Sequence, residues 1–452
     1  MAFAAFLALV VTALCASPTR GVPAQTLGAR AGTLGAPMDH AARRSAAMSR
    51  LDRRLLIVPS RSSFMADDQA GFQQATDFQY LSGWSDLVGA VLVLDGRAND
   101  ITLFVPRPNP LISHAVPEAT LQGARTVGVD AVQPIDSLEP WLSQRLPQVS
   151  GVLVAPTDVR GAIQTPPPMA STVLRWKTYL TTLGFPGPVT SSTPLLRPLR
   201  EIKDSTEIAI IRRVGAMSGQ AMLAGLRALR PGRTQRKAAL AVVDVCISSG
   251  GMHSFWPWAM SGPHAVFTDL FNYFVDYEGH DRVMNVGELV RVDVGCQYAH
   301  YMGDVGRTAP VNGRFTAGQR EAWDLFIAGY RAGLVGLRAG TRPGDVFAVA
   351  LRRIRELQPT LKTPLGKRAA AAILAPDGTA PWQFHGVGLD DAEGQPEVLR
   401  TGMTVAYEVM FAVDGHGFYL EDMILIRPAG YEMLTPGLPY TASEIESAMR
   451  RR

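Results

Sequence analysis

Cysteine is scarce in this chain: 452 residues contain three, Cys15, Cys246 and Cys296. Cys15 falls in an apolar leader, so the mature chain keeps two, too few for a disulfide scaffold or a thiolate-held structural metal. The opening stretch MAFAAFLALVVTALCASPTRGVPAQ carries an apolar run of about a dozen residues, short of the ~20 that a membrane-spanning helix needs. The run lacks a basic flank, but Val22 and Ala24 meet the small-residue rule for cleavage before Gln25, so residues 1–24 are expected to be an export signal. An uncleaved anchor is the alternative. Leu14 before Cys15 argues against lipoprotein processing, so no membrane role beyond export is expected, and the location would be periplasmic or secreted. Clustered basic residues are also missing apart from Arg450, Arg451 and Arg452. The net charge of +4 and pI near 9.0 therefore describe a scattered, solvated surface, and no nucleic-acid partner is expected.

What is present is enough apolar residue, 47% of the chain, for two domains with their own cores. Residues 25–48 are Gly/Ala-rich with little periodicity and read as a flexible lead-in. The runs 55–59, 90–94 and 101–105 are short, β-rich and bounded by turn formers, as buried strands are. With helical segments between them they make residues 49–195 an α/β domain, with a loop at Pro166, Pro167 and Pro168. A boundary follows at Leu195–Pro198, and residues 196–452 form the second domain. Its first helix starts at Asp204, where Asp204 and Glu207 are spaced as a capping box, and stops at Arg230-Pro231-Gly232. About 111 residues further on, Arg342-Pro343-Gly344 follows another amphipathic helix. The matched helix ends point to two related halves with a pseudo-twofold cleft between them.

Five side chains of this second domain stand out: Asp293, Asp304, His385, Glu408 and Glu421. Leu289–Gly295 alternates, so Val290, Val292 and Val294 share one face while Arg291, Asp293 and Gly295 share the other. Glu408 repeats the pattern against Val405, Tyr407, Val409 and Phe411, and Glu421 lies in a third β-like run. Asp304 follows Asp293 at a spacing that allows a hairpin to set the two acids side by side. His385 precedes Gly386-Val387-Gly388, where the backbone can approach a ligand closely. Burying such carboxylates unpaired would cost several kcal/mol each, so a group of them calls for cations. Four carboxylates and one imidazole suit Mn²⁺, Co²⁺ or Zn²⁺ in a two-metal site.

In the order Val292-Asp293-Val294-Gly295, Gly303-Asp304-Val305-Gly306-Arg307-Thr308, His385-Gly386-Val387-Gly388-Leu389-Asp390, Glu408 and Leu420-Glu421-Asp422, the chain resembles the proline-specific metallopeptidases of the pita-bread fold. Xaa-Pro aminopeptidases and Xaa-Pro dipeptidases (prolidases) belong to this group. Gln74–Trp84 is similar to a motif of the aminopeptidase P amino-terminal domain, so the resemblance spans nearly all of the mature chain. It implies an α/β amino-terminal domain followed by an α+β pita-bread (creatinase/aminopeptidase) catalytic domain with pseudo-twofold halves. It also implies two divalent ions, manganese first and cobalt or zinc as alternatives, with Asp293 on one, His385 and Glu408 on the other, and Asp304 and Glu421 bridging. A water shared by the ions would attack the scissile carbonyl of a small peptide substrate, with Glu408 as the catalytic base and then acid. The resemblance further implies a homo-oligomer, dimer or tetramer, although Phe78, Tyr80 and Trp84 read as core aromatics rather than as contacts to a neighbouring subunit.

Four departures from the family pattern concern the substrate. Asp276 stands where a histidine is usual ahead of the first metal acid, and Ala392 where another follows the metal histidine. Val409 replaces a proline and Tyr419 an arginine. Asp276, His264 and His416 are the candidate substrate-binding residues. A hydrolase or lyase acting on a non-peptide or non-proline substrate is the competing expectation, and a non-catalytic binding module the third.

Overall fold

The computed structural model describes residues 38–62, 73–85, 87–107, 128–157, 171–266, 281–375 and 382–450. The expected signal, most of the lead-in, the triple-proline loop and Asp276 lie outside these residues. Order begins earlier than residue 49, because His40–Met48 is a helix whose Asp39 cap accepts from the Ala42 amide. Composition hides the reason. Arg43 is buried against the second domain and pairs with Asp204 at 3.1 Å and Glu207 at 3.2 Å.

The first domain is one six-stranded sheet. Its strands are β1 (Leu55–Pro59), β2 (Val91–Asp95), β3 (Asp100–Val105), β4 (Ala131–Pro134), β5 (Val152–Val154) and β6 (Val189–Ser191), in the order β4-β3-β2-β1-β5-β6. The three expected strands are there to within one residue. Both faces are covered, which is why these runs are continuously apolar instead of alternating. Leu56, Val58, Leu92 and Leu94 pack with Phe78, Tyr80, Leu81 and Trp84, whereas Leu55, Ile57, Val93 and Phe104 pack under the helices Leu138–Arg145 and Thr172–Thr182.

The second domain builds its sheet from β8 (Trp258–Ser261), β9 (Leu289–Val294), β12 (Val305–Pro310), β13 (Trp382–Gly386), β14 (Thr404–Val413) and β15 (His416–Arg427), with β16 (Gly430–Met433) paired to β15. Their order, β13-β14-β15-β12-β9-β8, is symmetric about the β15–β12 junction. Each half contributes three strands and is preceded by a helix pair, Ser205–Ala228 with Gln235–Ser248 and Ala317–Leu334 with Pro343–Leu357. The predicted capping box is present at Asp204 and Glu207. These helices cover one face of the sheet and bury Val290, Val292, Val294, Val405, Tyr407 and Val409, leaving the opposite face to the acids. A small sheet of β7 (Met252–His253), β10 (Cys296–Tyr298) and β11 (Tyr301–Met302) closes one end. Cys246 and Cys296, read from the sequence as too few to matter, are joined as a disulfide that fastens the helix Gln235–Ser248 to β10. Among the described residues no helix is long and apolar enough to cross a membrane.

The expected boundary at 195/196 falls inside a helix, Thr193–Arg200, and that helix clamps the two domains. The half-buried Arg200 guanidinium donates to Asp77 of the first domain at 2.9 Å, and to Asp390 at 2.8 Å and Glu393 at 2.7 Å in the loop after His385. Lys203 adds a contact of 2.6 Å to Glu393. Burial alone would push the Glu393 carboxyl up, but Lys203 and Arg200 outweigh it and hold it down at about 2. A depression of this size is worth on the order of 3 kcal/mol of folding free energy, present in full above the ordinary carboxylate range and lost as pH falls towards 2. The stability difference between wild type and Glu393→Gln, followed by denaturant unfolding, should therefore be flat from pH 7 to about pH 5 and shrink below it. A difference that persists unchanged at pH 3 would remove Glu393 from this role.

Candidate metal centre

Strand register sets the site. Asp293 on β9 pairs with Gly306 on β12, Gly306 with Glu421 on β15, Glu421 with Glu408 on β14, and Glu408 with Gln383 on β13. These residues form one transverse row on the face away from the helices. His385 lies two residues along β13 from that row and so faces the same side, and Asp304, immediately before β12, reaches it from two residues ahead of Gly306. The turn between β10 and β11, with Ala299 and His300 both at positive φ, returns the chain so that Asp304 arrives beside Asp293, as the spacing predicts.

Side-chain distances close the group. His385 Nε2 lies 3.3 Å from Glu421 Oε1, 3.5 Å from Glu408 Oε1 and 3.9 Å from Asp304 Oδ2. Ligand atoms of Asp304, His385 and Glu421 all fall within 4.8 Å of one another. Asp304, His385, Glu408 and Glu421 are buried, and Asp293 opens partly towards the cleft. Burial and the neighbouring Glu421 push the Asp293 carboxyl well up, with Arg291 opposing. Burial, Glu421 and Asp293 do the same to Asp304, and burial with Glu408 raises Glu421. For His385 burial acts downwards, but the carboxylates of Glu408 and Glu421 beside it win and lift the imidazole well above its ordinary value. Without a cation, the cluster relieves its own repulsion by holding protons.

The residues fit a metal pair on two observations. Among the described residues Asp293 Oδ1 and Glu421 Oε1 are buried and have no hydrogen-bond partner, the nearest group to Oε1 being the His385 ring at 3.3 Å, an arrangement that costs free energy unless a cation completes it. The donor set is oxygen-rich with one imidazole and no thiolate, which suits hard or borderline divalent ions.

Two residues that the sequence reading did not assign support this group. Gln383 Nε2 donates to Glu408 Oε1, and Gln395 Nε2 donates in turn to Gln383 Oε1 at 3.0 Å. Gln383 lies two residues before His385 on β13 and so on the same face, and strand parity counted back from His385 could have found it. The Tyr419 hydroxyl donates to Glu421 Oε2 at 2.6 Å. Behind the row Arg307 pins β12 to β15, donating to the Glu421 carbonyl at 2.7 Å and to Asp422 at 2.8 Å.

Neither of the two described candidate substrate residues, His264 and His416, joins the cluster. His264 sits in the single helical turn Gly262–Ala265, which packs against the start of β15. His416 opens β15 an odd number of residues before Glu421, and so on the other face. Asp276 is outside the described residues, and Ala392 lies in the loop after His385 with no group to donate to a substrate.

Comparison with known proteins agrees with this geometry. The profile of Metallopeptidase family M24 matches residues 209–428, and that of the aminopeptidase P amino-terminal domain matches residues 40–153. The chain is similar to the Xaa-Pro aminopeptidase of Escherichia coli, 25% identical over 429 residues that cover 87% of this chain and 93% of that one. Among solved structures it resembles aminopeptidase PepP of Pseudomonas aeruginosa, with a TM-score of 0.72, 23% identity and coverage of 91% and 97%. The zinc-substituted E. coli aminopeptidase P in complex with product gives a TM-score of 0.72 at 24% identity, with coverage of 91% and 98%.

Proposed function

We propose, from the premise that the chain belongs to metallopeptidase family M24 and carries an aminopeptidase P amino-terminal domain, that it is an exported metallo-aminopeptidase. In this reading it uses two divalent ions to release the first residue of Xaa-Pro peptides. The observation that carries it is the transverse row of acids whose Asp293 Oδ1 and Glu421 Oε1 have no hydrogen-bond partner among the described residues. Asp293 would hold one ion, His385 and Glu408 the other, with Asp304 and Glu421 between them. Ions so held would supply an activated water and would polarise the scissile carbonyl. Glu408, at the edge of the row and oriented by Gln383, takes the proton of the attacking water and returns it to the leaving proline nitrogen. The buried Cys246–Cys296 disulfide supports export, since such cross-links persist in oxidising compartments.

Manganese is the first candidate, and cobalt and zinc compete for the same donors. Protein purified without chelator should contain about two divalent ions per chain and cleave Xaa-Pro peptides while sparing Xaa-Ala controls. Ala392 favours one second reading, in which the same centre acts on a different bond. Two bound ions with cleavage of Xaa-Ala and Xaa-Pro peptides alike, or of neither, would select it over the proline-directed one.

A further inference from the structure

Between Asp293 and Glu421 the row contains no side chain, because Gly306 stands there. The space is filled from the next strand. A Cβ on residue 306 would lie 2.0 Å from Cε1 of Tyr419, so the tyrosine ring occupies the volume that any larger residue would claim. The ring is fixed on several sides. Its backbone amide donates to Thr308 Oγ1 at 2.8 Å, and that hydroxyl donates back to the Tyr419 carbonyl at 3.3 Å. The Arg291 guanidinium lies 5.5 Å from the ring centroid and also packs over Trp258. Tyr419 is 2% exposed, so solvent does not compete for its hydroxyl.

That hydroxyl meets one oxygen of Glu421 and also lies beside the Asp293 carboxylate. It donates to Oε2 at 2.6 Å, while Oε1 has no hydrogen-bond partner among the described residues and points to His385 Nε2 at 3.3 Å. The two oxygens of one carboxylate are thus sorted. We infer that Tyr419 is a positioning residue of the metal centre, which fixes the rotation of the Glu421 carboxylate so that Oε1 faces the other ligands, with Gly306 as the notch that admits its ring. A ligating carboxylate that is itself hydrogen-bonded loses less freedom on capturing an ion, and removing such an outer partner commonly weakens metal binding 10–100-fold.

This inference rests on the two-ion reading above, and its test separates the two. Wild type and Tyr419→Phe, as full chains, are titrated with Mn²⁺ and Zn²⁺ against a chromophoric chelator, and their melting temperatures are compared with and without metal. The phenylalanine keeps the ring and its packing on Arg291 and removes only the donor. Expected are affinity about 10–100-fold weaker, a smaller gap between metal-loaded and apo melting temperatures, and a lowered kcat with KM little changed. A purely structural tyrosine would lower both melting temperatures together and leave the gap and the affinity alone, which would overturn the inference. Wild type that takes up no metal would overturn the two-ion reading and this inference with it. Gly306→Ala keeps the hydroxyl but displaces the ring; it is expected to show the same loss, and it decides by the same two measurements should Tyr419→Phe not fold.

Discussion

Glu421→Gln is expected to lower kcat/KM by about 10³-fold, at the upper end of what loss of one preorganised electrostatic group costs, while raising the stability of the metal-free protein. Both signs come from the place of Glu421 at the centre of the row. It is fully buried, pairs across strands with Glu408, and reaches His385 at 3.3 Å. Burial and Glu408 raise its pKa, and an acid held above its ordinary value costs folding free energy wherever it must ionise. Glutamine keeps the volume and removes that cost, so the apo variant should melt above apo wild type. With metal the order reverses, since the amide offers one neutral carbonyl oxygen in place of a charged two-oxygen ligand. Metal analysis, peptide kinetics and paired melting curves read all three effects. An apo variant that melts below wild type would mean that Glu421 is held by its neighbours for structural reasons, and that the cluster does not repel itself.

The alternation of Leu289–Gly295 and of Thr404–Ala412 was enough to place Asp293 and Glu408 on open faces, because a strand with one face against helices must put its acids on the other. The order of strands was not legible in the same way. Nothing local in the chain states that Gly306 pairs with both Asp293 and Glu421, and that pairing is what turns separate acids into a row. Matched helix ends did report the two halves, which the symmetric order β8-β9-β12 against β13-β14-β15 bears out. Arg200 escaped notice for a different reason: a single arginine in a helix looks solvated until three carboxylates from both sides of a domain boundary converge on it. Tyr419 looked like the loss of an arginine. Strand parity puts it on the face of Glu421, two residues on, but its ring over Gly306 becomes visible only when neighbouring strands are in register.

Joint replacement of Cys246 and Cys296 by alanine is expected to destabilise the catalytic domain by about 4 kcal/mol, the loop-closure value for a cross-link that spans some 50 residues. At roughly 2–4 °C per kcal/mol for a domain of this size, the melting temperature should fall by about 10 °C. The cross-link has this reach because of what lies between its ends: β7, β8 and β9, including the strand that carries Asp293. Cys246 is near the end of the helix Gln235–Ser248, and Cys296 begins β10 just after the metal strand, where its amide donates to Ser218 Oγ at 2.9 Å. The sheet register of β9 with β12 does not depend on the disulfide, so activity at temperatures well below the melting transition should stay within a few-fold of wild type. Thermal unfolding of oxidised, reduced and alanine-substituted protein, alongside peptide kinetics in the cold, distinguishes a staple from a catalytic device. Equal melting temperatures for oxidised and reduced protein would show that the helix–sheet packing around Cys246 already fixes this segment, and would remove the main physical reason to place the chain in an oxidising compartment.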